Sequence, residues 1–294
     1  MSRPTATVSP LACRYAVGMA VRVQCAEAGL TTTEVARRAG IDRTVVSKII
    51  SAERRAGLET VLALLDVLPM PGGDTEYQRL QQAARNGLRR GWWEERRYEL
   101  MGDRQKVIAD LECGATVREY HPSMLPGLLQ TEGYSRHRGE VALAKGGTFD
   151  LDATVRGRMD RQRIIAEGAR YEAVLEMQAV VRLSVPPAVM REQLRHLHEV
   201  MTTRENVTVR ILPVDAQLPP GWVPRNPFSL YTYADLDGLA LASVDTVKSD
   251  LLVTSPPEVT EYAQMHTGLL ESALSAEDSA ALVRETAEQA GRRV

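Results

Sequence analysis

Apolar residues in the first part of the chain recur at helical spacing, and the polar residues between them mark where each helix starts and stops. Cys13, Val17, Val21, Cys25 and Ala28 form one stripe of a helix over Leu11–Ala28, which is apolar on more than one face, as suits a helix central to a small bundle. Gly29 ends it. Thr31 and Glu34 spell a T-x-x-E capping box that satisfies free backbone N–H groups at the start of a second helix, Thr31–Ala39. Gly40 supplies a tight turn, because only glycine takes positive φ at no steric cost. Asp42 caps a third helix, roughly Arg43–Ser51. Leu58, Val61, Leu62 and Leu65 give the inner face of a fourth, Pro69–Gly73 breaks the chain, and Asp74 opens a fifth that runs to about Arg85. Asn86-Gly87 closes the module, so the first domain is assigned to residues 1–86.

Beyond it the pattern mixes periods. A charged, helical segment runs from Gly91 to about Leu111, and Thr116–Tyr120 alternates like a strand ending at His121-Pro122. A helix follows Pro126 through about Lys145, and Leu151, Val155, Met159 and Ile165 stripe a long basic one. Tyr171–Met177 and Val207–Leu212 are strand-like, and Met190, Leu194, Leu197 and Met201 stripe a helix between them. Phe228–Tyr233, Leu239–Val244 and Asp250–Thr254 look like antiparallel partners. Val259, Tyr262, His266, Leu269 and Ala273 mark a helix, and Ser275-x-x-Asp278 caps the last. Regular β-α-β alternation is not evident, which argues against a doubly wound sheet. The expected fold is a mainly α, five-helix N-terminal domain followed over residues 87–294 by an α+β domain with a small antiparallel sheet.

The strongest functional signal lies between Thr32 and Ser51. A helix-turn-helix reader needs two short helices crossing steeply, a small residue where they touch and a glycine at the bend. Ala36 and Gly40 meet those needs, and Val35, Ala39, Ile41, Val46 and Ile49 fall where the inner faces must be apolar. Arg43, Thr44, Ser47 and Lys48 project outward, and these are residue types that bond base edges and phosphates.

Charge sharpens this. The 294 residues carry a net charge of −2, yet Thr31–Arg55 holds six basic residues against three acidic ones, a patch suited to touching phosphates in one place. With 44% hydrophobic and 25% charged residues, the composition is that of an ordinary globular protein. The longest apolar run, Val61–Leu65, is far short of a membrane span, and Met1–Pro10 carries no apolar block, so a cytoplasmic protein without membrane contact is expected. Three cysteines without C-x-x-C spacing make disulfides and zinc unexpected, and Cys13 and Cys25 read as small buried hydrophobes.

Gly29-Leu30-Thr31-Thr32-Thr33-Glu34-Val35-Ala36-Arg37-Arg38-Ala39-Gly40-Ile41 through Val46-Ser47-Lys48-Ile49 resembles the XRE-type (phage-repressor-like) helix-turn-helix, a five-helix DNA-binding domain. Gly91-Trp92-Trp93, Tyr120-His121-Pro122, Leu125–Thr131 and Val207–Pro213 are similar to the actinobacterial, antitoxin-like branch of that family, which carries a C-terminal domain of unknown function. The resemblance implies that Thr32 and Thr33 contact phosphate and base at the start of the first helix and that Arg43, Thr44, Ser47 and Lys48 face the major groove. The chain departs from the family in three places: Thr32 stands where glutamine is common, Ile50-Ser51-Ala52 where Glu-x-Gly is common, and Gln24 where leucine is usual.

Other candidates carry less. His196 and His198, two apart on a helix, point away from each other and cannot share a metal ion. His266 reads as a core histidine and His121 as a turn residue, with a pocket role as its alternative. No G-x-S-x-G, phosphate loop, G-x-G-x-x-G or acid pair is present, so neither enzyme nor cofactor is expected. The expected protein is a sequence-specific transcriptional regulator, a homodimer on double-stranded DNA at a palindromic operator. Its C-terminal domain is expected to bind either a small acidic protein encoded nearby, as the resemblance implies, or a small-molecule effector beneath a lid at Pro219–Trp222.

Overall fold

The computed structural model describes residues 7–219, 223–246 and 250–292; residues 1–6 of the N-terminal stretch and 220–222 of the expected lid lie outside them. The chain divides into two compact units, Met1–Glu94 with Tyr233–Leu239, and Glu95–Thr232 with Ala240–Val294.

The first unit is helical, as its periodicity requires. It comprises α1 (Pro10–Glu27), α2 (Thr32–Ala39), α3 (Arg43–Ile50), α4 (Leu58–Leu65) and α5 (Gly73–Gly87). Ser9 caps α1 by accepting from the Ala12 N–H at 2.9 Å. The α1 stripe is buried at Cys13, Val17, Val21 and Cys25, and α1 packs on α3 and α5. On α4 the buried positions are Val61, Leu64 and Leu65, while Leu58 and Leu62 are only half-buried.

The second unit begins with α6 (Asp103–Glu112) and β1 (Thr116–His121). Helices α7 (Glu132–Ala144), α8 (Leu151–Arg161) and α9 (Arg163–Ala166) lead to β2 (Tyr171–Glu176). α10 (Met177–Val181) and α11 (Pro187–Thr203) lead to β3 (Val207–Leu212). β4 (Phe228–Tyr233), β5 (Leu239–Asp245), β6 (Asp250–Val253), α12 (Pro256–Ser272) and α13 (Ala276–Arg292) complete it. Asp278 N–H donates to the Ser275 hydroxyl at 3.0 Å, the cap its spacing announced. Among the described residues no helix is long and apolar enough to cross a membrane.

The sheet is mixed rather than wholly antiparallel. Its order is β3-β2-β1-β4-β5-β6, with β1 parallel to β2 (Val117 opposite Tyr171) and β2 parallel to β3 (Tyr171 opposite Val207). β1 runs antiparallel to β4 (Tyr120 opposite Phe228) and β5 antiparallel to β6. The expected antiparallel sheet is therefore the β1-β4-β5-β6 part of a larger one, and β3 pairs with β2 at the far edge. Parallel neighbours need a crossover, and here the crossovers hold several short helices over residues 122–170 and 177–206, which hid the β-α-β order. Ile211 of edge strand β3 donates its N–H to the Ser279 hydroxyl and accepts from the Leu274 N–H, both at 2.9 Å, so the edge is covered.

The two faces of the sheet differ. Tyr120, Val174, Phe228 and Leu230 pack with Val259 and Leu269 of α12. His266 is buried on that side, and burial pushes its ring down to about 4, so it is a neutral core histidine. The opposite face is polar at its centre: Glu119 accepts from the Tyr171 hydroxyl at 2.5 Å and from the cross-strand Ser229 hydroxyl at 2.9 Å. Burial pushes the Glu119 carboxyl up, yet these donors and the His121 ring 3.8 Å away hold it below its ordinary range.

One polar group in the first unit is at odds with its surroundings. Gln24 on α1 is buried and its Oε1 finds no hydrogen-bond partner among the described residues. An orphaned buried acceptor costs on the order of 1–3 kcal/mol. Gln24→Leu should therefore stabilise the helical unit by about 1 kcal/mol, read as increased hydrogen-exchange protection of α1; a loss of protection would refute the assignment of Gln24 as a strained position.

Candidate nucleic-acid interface

An eight-residue helix is too short to hold itself in water, so α2 and α3 are made by their caps and packing. Thr31 Oγ1 accepts from the Glu34 N–H at 3.2 Å, the first half of the expected capping box. The second half is replaced: the Glu34 carboxylate turns to Arg37 (2.8 and 3.1 Å) and Arg38 (2.9 Å). At the other end Gly40 takes φ +67°, its N–H reaching Arg37 O while the Ile41 N–H reaches Ala36 O at 2.9 Å. That pair of bonds is a Schellman stop. Asp42 then opens α3 by accepting from the Thr44 N–H at 2.7 Å, a bond that holds its carboxyl below the usual range.

The inner residues lie where the spacing put them. Val35, Ala36, Val46 and Ile49 are buried and Ile41 is half-buried. Arg43, Thr44, Ser47 and Lys48 are exposed together and occupy one stripe roughly 140° wide at 3.6 residues per turn. Thr33 is exposed and Thr32 half-buried at the start of α2.

The seat of α3 was not foreseen. Gly18 of α1 lies so close to the end of α3 that a Cβ there would meet Ile50 O at 2.5 Å and Ile49 O at 2.8 Å. Past α3, Ala52 takes the left-handed conformation (φ +59°) that glycine favours, buried and with its N–H on Ile49 O. The helix thus ends in the same kind of turn without the glycine.

The charge picture also sharpens. Arg37 and Arg38 share Glu34, and Arg55 is held by both oxygens of Glu94 (2.5 and 2.8 Å). Arg43, Lys48 and Arg54 are exposed and pair with no carboxylate among the described residues. Three free cations beside an exposed helix are what a phosphate backbone requires.

Fold and site together define a helix-turn-helix DNA-binding regulator. The comparisons agree: residues 16–78 match the family described as a helix-turn-helix domain, and residues 105–285 match the domain of unknown function DUF5753. The second match spans more than half of the chain, which therefore belongs to the DUF5753 family. No curated protein and no solved structure matches it.

Two outcomes test this geometry. Gly18→Ala has only backbone to displace, so it should cost about 1–3 kcal/mol as overpacking does and should lower exchange protection in α3 first; an unshifted α3 would refute the close seat. Arg37 and then Arg38 hold the exposed Glu34 carboxyl down to about 2. Because its folded value lies below the unfolded one, this contribution is full above about pH 4.3 and is lost as pH falls towards 2. A carbon-detected titration placing Glu34 near 4 would show that the two guanidiniums do not hold it.

Proposed function

We propose that the protein is a sequence-specific transcriptional regulator of the XRE type, acting as a homodimer on a palindromic operator in the cytoplasm and having no catalytic activity of its own. The exposed row Arg43, Thr44, Ser47 and Lys48, seated on a buried apolar elbow, carries this reading. In it α3 enters the major groove, Thr44 and Ser47 face base edges, and Arg43 and Lys48 hold the backbone. Arg54, which lies beyond the sequence-derived set, joins them as a third cation. Thr32 and Thr33 present the first N–H groups of α2 to a phosphate, as a helix N-terminus does. One recognition helix buries too little surface for operator-level affinity, which favours a two-fold assembly with half-sites about one helical turn apart.

The C-terminal unit is the regulatory domain in this reading. A cavity in that unit favours small-molecule sensing. The antitoxin-like alternative, in which the unit holds a small acidic partner protein, rests on the sequence resemblance, and co-purification with the adjacent gene product tests it.

Footprinting on the region upstream of the protein's own gene should reveal a short symmetric site. Arg43→Ala and Lys48→Ala should each weaken binding and lower the slope of log K against log salt by about one unit. Unchanged slopes and unchanged site preference in both variants would remove α3 from the interface.

A further inference from the structure

The second unit holds an open cavity of about 500 Å³, bounded on one side by the polar face of the sheet at Glu119, Ser229 and Tyr231 and on the other by α6 and α8. Its charged groups are mostly accounted for. Arg161 donates to both oxygens of Glu112 with both side chains buried. Arg104 is held by Asp245 and Asp250, and Glu119 by the hydroxyls already described.

Arg138 and Arg158 are the exceptions, and of the two only Arg158 holds a fully buried nitrogen with no partner among the described residues. It lines the cavity, yet no carboxylate lies within ion-pair distance of it among the described residues. One of its donors is used, Nη1 to the Gln130 side-chain oxygen at 2.9 Å, and that oxygen is fixed by the Ser135 hydroxyl at 2.9 Å. Nε is fully buried with no partner, and Nη2 makes no hydrogen bond among the described residues. Beside it Gly127 leaves room: a Cβ there would sit 3.8 Å from Arg158 Nε and 3.5 Å from the Arg161 guanidinium. Burial and the nearby Arg161, Arg104 and Arg138 pull the Arg158 guanidinium down to about 10, with Glu112 opposing them more weakly. A guanidinium nitrogen buried without a partner is costly unless something pairs with it. The cavity also has an apolar side at Met124, Leu125 and Phe149.

We propose that this cavity binds a small molecule bearing one carboxylate or phosphate group, its anion paired with Arg158 and its apolar body lying against Met124, Leu125 and Phe149. Glu119 and Asp245 on the wall keep the rest of the site from accepting a second negative group. The proposal rests on the sensing reading of the C-terminal unit for its regulatory meaning, but not for the binding itself.

The test uses the full chain, with benzoate, octanoate and phenyl phosphate as anionic probes and benzyl alcohol and octanol as their neutral counterparts. Ligands that bind only the folded state raise the melting temperature. At least one anionic probe should raise it, its neutral counterpart should bind at least tenfold more weakly, and the responding probe distinguishes a carboxylate from a phosphate ligand. Arg158→Gln should weaken that probe at least tenfold, whereas Arg195→Gln on α11 should leave its affinity unchanged. In the unaltered protein, phenylglyoxal labelling of Arg158 followed by mass spectrometry should slow when the probe is present, a readout that needs no variant. The proposal is overturned if no anionic probe shifts melting, if neutral and anionic probes bind alike, or if Arg158→Gln and Arg158 labelling are indifferent to the probe. A probe that binds through Arg158 without changing operator affinity would keep the site and remove its regulatory use.

Discussion

In the helical unit backbone lies against backbone where Gly18 of α1 sits beneath the carbonyls of Ile49 and Ile50. Everything that α3 offers outward depends on it. A helix this short gains little from its own hydrogen bonds, since nucleation consumes what propagation returns over so few residues. Its position must come from burying Val46 and Ile49 and from fixed ends at Asp42 and Ala52. A side chain at position 18 would push α3 away from α1 and loosen both buried residues at once. The outward surface of α3 is thus placed by the glycine contact, and a helix that reads a groove, as proposed, would need such placement, because bidentate contacts to bases tolerate little error.

The elements with long, periodic apolar patterns were legible from residue spacing. All five N-terminal helices, the strands at 116–121 and 207–212 and the Ser275 cap lie where alternation and capping residues put them. The antiparallel neighbours β4, β5 and β6 were legible, but the parallel pairing of β1, β2 and β3 was not, because register and neighbours depend on long-range burial rather than on local period. Short helices in the crossovers broke the rhythm that marks parallel strands. His121, read as a turn residue with a pocket role as its alternative, is the last residue of β1 and lines the cavity. Within the candidate interface the outward row and the apolar elbow were readable. The Gly18 seat was not, since a glycine inside a helix looks the same whether it faces solvent or another backbone. Nor was the diversion of Glu34 to Arg37 and Arg38, because a capping-box glutamate and an i,i+3 or i,i+4 ion pair share one spacing.

That diversion has electrostatic consequences. Counting residues alone gives Thr31–Arg55 a surplus of three cations, but pairing decides which of them can meet a phosphate. Arg37, Arg38 and Arg55 already lie against carboxylates, leaving Arg43, Lys48 and Arg54 as the exposed cations that displace counterions without first breaking a pair. Exposed pairs of this kind contribute little to stability. Their effect is to confine the free positive charge to α3 and the turn after it, where a bound duplex would lie, while the helix before it stays near neutral.

The second unit treats charge in the opposite way. Removing a guanidinium from water is costly, and a buried pair such as Glu112–Arg161 recovers that cost only because both carboxylate oxygens are used. Arg158 sits beside this pair with a single neutral acceptor, Gln130, which offers a dipole where a charge is needed. Replacing a buried ionic group by a neutral one is often harmless or stabilising when no partner is lost, so packing alone gives no reason for arginine at this position. An arginine that gains a counter-charge from a bound anion would make the folded unit more stable with that anion than without it. Under the proposed binding, this would be the thermodynamic form of a sensor, with the ligand supplying the other half of an interaction that the fold already holds in place.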